Sequence, residues 1–322
     1  MVGGKVQLWD KREVTQMRDK LENAGDDYSR SLRRFLSDLE ELSPERSLAL
    51  APSAFQIGQL RRSFPNFEPA IVELERAAAL ARLTKSNALW MPPLLLAGDP
   101  GVGKTFFAST VAKLCGLPHF EVSLSTNTAG FALTGLHLGW SSGGPGLVYR
   151  NLVQGQFANP IGILDEVDKL GSQEKSNASC ALLSLLEPST AGRFRDEAVP
   201  IALNASQIAW IATANNLDNI DAPLRSRFTV VEIPKPTPEQ VPAIARSVYR
   251  LVRERYEWGQ HFPHDPDPTV ISILAEHTPR EMRRALTRAF GNAAIARRTD
   301  VQSRDFSNIC EASLIQKRIG FY

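Results

Sequence analysis

The 322 residues carry a formal net charge of +2, with 43% hydrophobic and 22% charged side chains, the balance of a soluble globular chain long enough for two or three domains. No apolar run is long enough to span a bilayer and charged residues follow Met1-Val2-Gly3-Gly4-Lys5, which excludes a signal core there and predicts a cytoplasmic location with no membrane contact. Near-neutral charge disfavours nucleic acid as a default partner, and Cys115, Cys180 and Cys310 are too scattered for a metal site or a disulfide framework and read as small, mostly buried thiols.

Residues 1–62 read as a short, charge-mixed helical segment. Leu32, Phe35, Leu36, Leu39 and Leu42 recur at three- and four-residue steps, one face of a helix that Ser43-Pro44 ends. That stripe could pack on the rest of the chain, on a neighbouring copy or on a partner. Phe64-Pro65-Asn66-Phe67 opens a second segment, 63–235, with a helix over 69–84. Five strand candidates then alternate with helices: Leu94–Ala97, Phe120–Leu124, Ile161–Asp165, Ile208–Thr213 and Thr229–Ile233. Near-continuous apolar strands separated by helices predict an α/β fold, a parallel five-stranded sheet covered on both faces. The cluster Pro234-Lys235-Pro236-Thr237-Pro238 cannot continue a strand and marks a boundary. Residues 236–322 then read as a helical domain, with helices at about 238–256, 268–276, 279–297 and 303–316.

The first sheet strand runs into Gly98-Asp99-Pro100-Gly101-Val102-Gly103-Lys104-Thr105. This is a G-x-x-x-x-G-K-[ST] loop in its expected strand–turn–helix setting. Its glycines let backbone N–H groups turn inward around phosphates, and the predicted contact continues through Phe106. Lys104 reaches the β/γ oxygens of a nucleoside triphosphate, and Thr105 offers its hydroxyl to Mg2+. The strand ending in Asp165-Glu166 adds a carboxylate for the metal shell, Asp165, and one that can polarise the attacking water, Glu166. The strand before Asn215 places an amide that can orient that water or sense the γ-phosphate, or simply make a turn. Arg227, in Arg225-Ser226-Arg227-Phe228, suits either a structural ion pair or a finger inserted into a neighbour's nucleotide site.

The phosphate loop, Asp165-Glu166, Asn215 and Arg227 follow the order and approximate spacing of AAA+ ATPases, and the chain resembles that family over about residues 64–322. Within the family it is similar to the ATPase module of Lon. Leu164-Asp165-Glu166-Val167-Asp168-Lys169, Leu183-Ser184-Leu185-Leu186-Glu187-Pro188 with Phe194-Arg195-Asp196, Ala212-Thr213-Ala214-Asn215 and Ala222-Pro223-Leu224 carry that similarity. The resemblance implies a P-loop AAA+ sheet with a C-terminal helical lid, and Mg-dependent ATP hydrolysis. It makes Asn215 sensor 1, Arg227 the arginine finger and Arg280 the sensor 2 arginine. Asp99 stands where the loop more often has proline, and Thr278-Pro279 where Lon has glycine and a small residue.

The same resemblance implies a homo-oligomeric ring, a hexamer, that unfolds or remodels protein clients. Trp140, in Gly139-Trp140-Ser141-Ser142-Gly143-Gly144-Pro145-Gly146, matches the aromatic of Lon's substrate-gripping pore loop, with Ser141 where an aliphatic residue is usual. The glycines around it read as loop mobility, and packing of the ring against a neighbouring helix is the other reading. The sequence ends at Tyr322, which predicts no protease domain in this chain and leaves a protease acting in trans as a partner. Ser313 and Lys317 share only a helix face. The alternative is a nucleic-acid motor or clamp-loader-like AAA+ ATPase, against which stands the lack of an aromatic-and-basic platform for single strands.

Overall fold

The computed structural model describes residues 3–126, 128–170 and 177–306. The first segment forms β1 (Lys5–Gln7), α1 (Lys11–Lys20), α2 (Asp27–Glu41), β2 (Glu45–Ser47) and α3 (Ala54–Ser63). Asp10 and Asp26 cap α1 and α2 by accepting from Arg12 N and Ser29 N, satisfying donors that the first helical turn leaves open. The segment is helical as expected, and β1 and β2 add a short antiparallel pairing over three residues. Strands that short show too few alternations to read in sequence. The apolar stripe of α2 also finds its partner. Leu32, Leu36 and Leu39 are buried in one cluster with Leu95, Phe120 and Leu164 of the sheet, with Phe35 packed against it. The stripe up to Leu39 therefore packs on the chain's own core, while Leu42 is exposed.

The chain continues through α4 (Glu68–Arg82), β3 (Leu94–Ala97), α5 (Lys104–Cys115), β4 (His119–Ser123), α6 (Ala129–Thr134), α7 (Leu147–Val153) and β5 (Ile161–Asp165). It then builds α8 (Asn177–Leu185), α9 (Pro188–Ala191), β6 (Phe194–Arg195), β7 (Ala202–Leu203), β8 (Ala209–Ala214), α10 (Ala222–Arg225) and β9 (Thr229–Glu232). The sheet order is β4-β5-β8-β3-β9, every neighbouring pair parallel. All five expected strands are present within a residue at each end. Strands β3 and β8 are buried along their whole length, which is why they read as apolar runs. The register sets Ala97 beside Ala214 and Leu164 beside Ala212. The carboxyl ends of β5, β8 and β3 therefore stand side by side, where ligands bind in open parallel sheets.

Two compact units result. One holds residues 3–57, 69–98 and 104–232; the other holds 58–68, 99–103 and, among the described residues, 233–306. The second unit contains α11 (Val241–Arg255), α12 (Pro268–Leu274) and α13 (Pro279–Ile295) around their own core, including Val248, Tyr249, Leu274, Leu286 and Phe290. Of the helix expected over 303–316, Ser303–Phe306 forms a single 3-10 turn; the remainder, with Cys310, Ser313 and Lys317, lies outside the described residues. The expectation of mostly buried thiols holds only in part. Burial pushes the Cys115 thiol up to about 12, but Cys180 on α8 is exposed.

Candidate functional site

Gly101 and Gly103 of the phosphate loop adopt φ of 87° and 102°, in the left-handed region that glycine alone enters without strain. The loop delivers Lys104 as the first residue of α5. Its side chain is 7% exposed, and a charge so enclosed needs partners. The Nζ donates to Gly98 O at 2.7 Å and to Asn215 Oδ1 at 2.9 Å. The lysine is thus pinned between the end of β3 and the residue just past β8.

The carboxyl end of β5 supplies the acidic pair. Asp165 Oδ1 accepts two hydroxyl protons, from Thr105 Oγ1 and from Thr213 Oγ1, each at 2.6 Å. The Thr213 oxygen in turn accepts from Glu166 N at 3.0 Å. Glu166 sits at φ 59° and ψ 51°, a left-handed conformation that costs a non-glycine residue of order 1–3 kcal/mol. The hydrogen bond from its N–H to Thr213 helps hold it there. Thr213 is 2% exposed, and it links both acidic residues. Sequence reasoning gave it no role; the only signal was its place in Ala212-Thr213-Ala214-Asn215.

These residues fit a divalent cation. Thr105 spends its proton on Asp165, which leaves hydroxyl lone pairs for a metal. The described residues hold no group of three or more His, Cys, Asp or Glu suited to binding a metal. Mg2+ keeps several waters and takes few protein ligands alongside phosphates, so the Thr105 hydroxyl and the Asp165 carboxylate offer donors of the kind it takes. Burial first, then the negative charge of Asp165, pushes the Glu121 carboxyl up, a surplus of negative charge that a cation would relieve.

The structure thus brings together Lys104, Thr105, Asp165, Glu166 and Asn215. Arg227 follows α10 and donates from Nη1 to Pro223 O at 2.7 Å. Its Nε is buried with no hydrogen-bond partner among the described residues, and neighbouring Arg225 is exposed. Arg280 lies in the helical unit, exposed in the first turn of α13. There Thr278 and Glu281 form a capping box with Pro279 at the first helical position, so Thr-Pro in place of the usual small residues is a helix-start signal. Asp99 pairs with Lys235, Oδ2 to Nζ at 2.9 Å.

Trp140 is 68% exposed in the loop between α6 and α7, so its ring is not packed in the core. Leu136 and Gly144 exchange both backbone hydrogen bonds at 2.9 Å, and His137 at the loop base stacks on Tyr28 of α2 at 4.6 Å. The glycines serve close approach here: a Cβ on Gly143 would meet His137 O at 2.4 Å, and one on Gly146 would meet Gly135 N at the same distance. Asp196, 1% exposed, accepts from Gly146 N at 2.9 Å and Ala198 N at 2.9 Å. Burial nevertheless pushes its carboxyl up to about 6, against the lowering effect of those donors.

A phosphate loop, a paired carboxylate strand and a polar residue beyond the next strand define a nucleoside-triphosphate hydrolase of the P-loop class. Residues 94–235 match the family "ATPase family associated with various cellular activities (AAA)". That segment is a domain of the AAA family, and the chain resembles the ATPase module of Lon. It is 28% identical over 298 residues to the peroxisomal Lon protease homolog 2 of Oryza sativa subsp. indica, covering 91% of this chain and 33% of that protein. It is 34% identical over 203 residues to Lon protease 4 of Sorangium cellulosum, covering 63% of this chain and 24% of the relative. The chain therefore spans a quarter to a third of the length of these relatives. Among solved structures, a Thermotoga maritima RuvB Holliday junction branch migration motor aligns with a TM-score of 0.49 at 17% identity, over 79% of this chain and 72% of that one. At that level the likeness bears on neither substrate nor partner. No helix among the described residues is long and apolar enough to cross a membrane.

Proposed function

We propose that this chain hydrolyses MgATP at an interface between copies in a ring, with six copies as the working number, and couples turnover to unfolding or remodelling a protein client. The observation that carries the ATP chemistry is the double acceptance at Asp165 Oδ1, from Thr105 and Thr213, next to the Lys104–Asn215 bond. Lys104 and the loop N–H groups, from Gly98 to Phe106, hold the phosphates. Thr105 and Asp165 hold Mg2+, which when bound would neutralise the developing phosphate charge. Glu166 orients and polarises the attacking water, Asn215 registers the γ-phosphate, and Arg280 is assigned to the same nucleotide as sensor 2.

Arg227 is the group assigned to the neighbouring copy. A half-buried guanidinium with an unpartnered Nε has hydrogen-bonding capacity that the described residues of its own subunit do not use. Such fingers are worth about 10³–10⁵ in rate in related hydrolases. The client reading draws on Trp140, a large apolar ring held out on a braced loop, and on the printed names of the Lon relatives. The test is light scattering after size exclusion, with phosphate release measured on the same fractions. Arg227→Ala should assemble and retain ATP while losing turnover by at least about a hundredfold. A dilute monomer that cleaves ATP at the full rate refutes the interface.

A further inference from the structure

Asp99 is the only acidic residue in the phosphate loop, and its charge opposes a polyphosphate ligand. Its Oδ2 lies 2.9 Å from Lys235 Nζ. Both belong to the helical unit, where they line a cavity of about 280 Å³ together with Pro100, Gly101, Val102 and His277. The hydrogen bond to Asp99, and then the Asp99 charge, hold the Lys235 ammonium above its ordinary range. The two residues are far apart in sequence, one in the loop and one in the proline cluster after the last sheet strand.

We infer that Lys235 is the counter-ion that makes an acidic phosphate loop compatible with a nucleoside triphosphate, so that nucleotide affinity depends on the balance of the two side chains rather than on either alone. The inference rests on the nucleotide-binding reading of the loop. With the pair intact, Asp99 and Lys235 together add no net charge beside the ligand. Removing Lys235 leaves a carboxylate that repels the phosphates. Removing Asp99 leaves an ammonium that attracts them, and removing both restores neutrality. The side chains are 78% and 55% exposed, so solvent and salt screen the effect. It should be larger for ATP than for ADP, which carries less charge.

The experiment measures dissociation constants of fluorescent ATP and ADP analogues for the wild-type chain, Lys235→Ala, Asp99→Ala and the double variant, at low and high salt. At low salt Lys235→Ala should weaken ATP binding about threefold and Asp99→Ala should tighten it about threefold. The double variant should return to the wild-type value, and all differences should shrink at high salt. Four equal affinities overturn the inference. So does a double variant as weak as Lys235→Ala, because that pattern means the lysine touches the nucleotide directly. Thermal unfolding of the four proteins separates a binding change from a folding defect: an affinity loss in Lys235→Ala matched by partial unfolding, and not reversed in the double variant, also counts against it. A wild-type chain that binds no nucleotide fails the phosphate-loop reading itself, a result distinct from all of these.

Discussion

Replacing Thr213 with valine removes one hydroxyl and leaves the side chain's shape almost unchanged. That hydroxyl donates to Asp165 Oδ1 at 2.6 Å and accepts from Glu166 N at 3.0 Å, and the residue is 2% exposed. The substitution therefore orphans a half-buried backbone N–H, at about 1–3 kcal/mol. It also takes one of two hydroxyl donors from a carboxylate that keeps the other, for roughly 1 kcal/mol more. The summed loss of stability is on the order of 2–4 kcal/mol. The larger effect falls on Glu166, whose left-handed backbone at φ 59° loses one of its anchors. A misplacement near 1 Å can cost about a hundredfold in rate. Thr213→Val should therefore lower kcat by roughly that factor while ATP affinity changes by less than about threefold, because the bonds of Lys104 to Gly98 and Asn215 do not pass through Thr213. Thr213→Ser keeps the hydroxyl and should retain most of the rate. Denaturant unfolding, nucleotide titration and steady-state phosphate release on the three proteins make the comparison. A valine variant with kcat within twofold of wild type refutes the positioning of Glu166 by Thr213.

Two further outcomes follow from buried geometry. Gly162 lies directly across from Trp210 in the β5–β8 register, and a Cβ there would approach the indole to 2.3 Å; Trp210 also packs edge-on to Phe120 at 5.7 Å. Gly162→Ala should thus cost about 3 kcal/mol, the upper part of the overpacking range, in denaturant unfolding, and an unchanged midpoint would show that the indole can yield. Asp196 makes stability depend on pH. Its folded-state carboxyl is raised from 3.8 to about 6, so its contribution is fully present below pH 3.8 and is lost as pH rises through about 6. That difference is worth roughly 3 kcal/mol at its limit. The wild-type unfolding free energy, measured against that of Asp196→Asn, should fall by up to this amount between pH 4 and pH 7; parallel pH profiles would contradict the burial effect.

The phosphate loop and the five sheet strands were legible because their causes are local. A G-x-x-x-x-G-K-T run needs no distant partner to be recognised, and a strand buried on both faces announces itself as an apolar run such as Pro93-Leu94-Leu95-Leu96-Ala97. The strands β1, β2, β6 and β7 were not legible, since each is only two or three residues long and owes its existence to backbone pairing rather than to a side-chain pattern. The α2 stripe was visible as a stripe, yet periodicity cannot say what lies against it. The glycines around Trp140 have a further cause that composition does not reveal, because Gly143 and Gly146 stand where backbone meets backbone.

What the sequence concealed has a common form. Each concealed residue is the distant partner of one that could be read. Thr213 acts on Glu166 across 47 residues of chain, Asp196 holds Gly146 across 50, and Lys235 neutralises Asp99 from beyond the last sheet strand. A motif records the groups that meet the ligand, because their spacing is fixed by one turn or one strand end. The groups that orient them arrive from elsewhere in the fold; a surface lysine carries no local mark of that task, and Thr213 carries only its place in Ala212-Thr213-Ala214-Asn215. In a parallel sheet of order β4-β5-β8-β3-β9 this separation is unavoidable. The strand ends that meet at the site are joined by crossover helices, so every neighbour in space is remote in sequence. Residues that tune such a site are therefore best sought at the carboxyl ends of the strands flanking the phosphate loop and in the chain just beyond them.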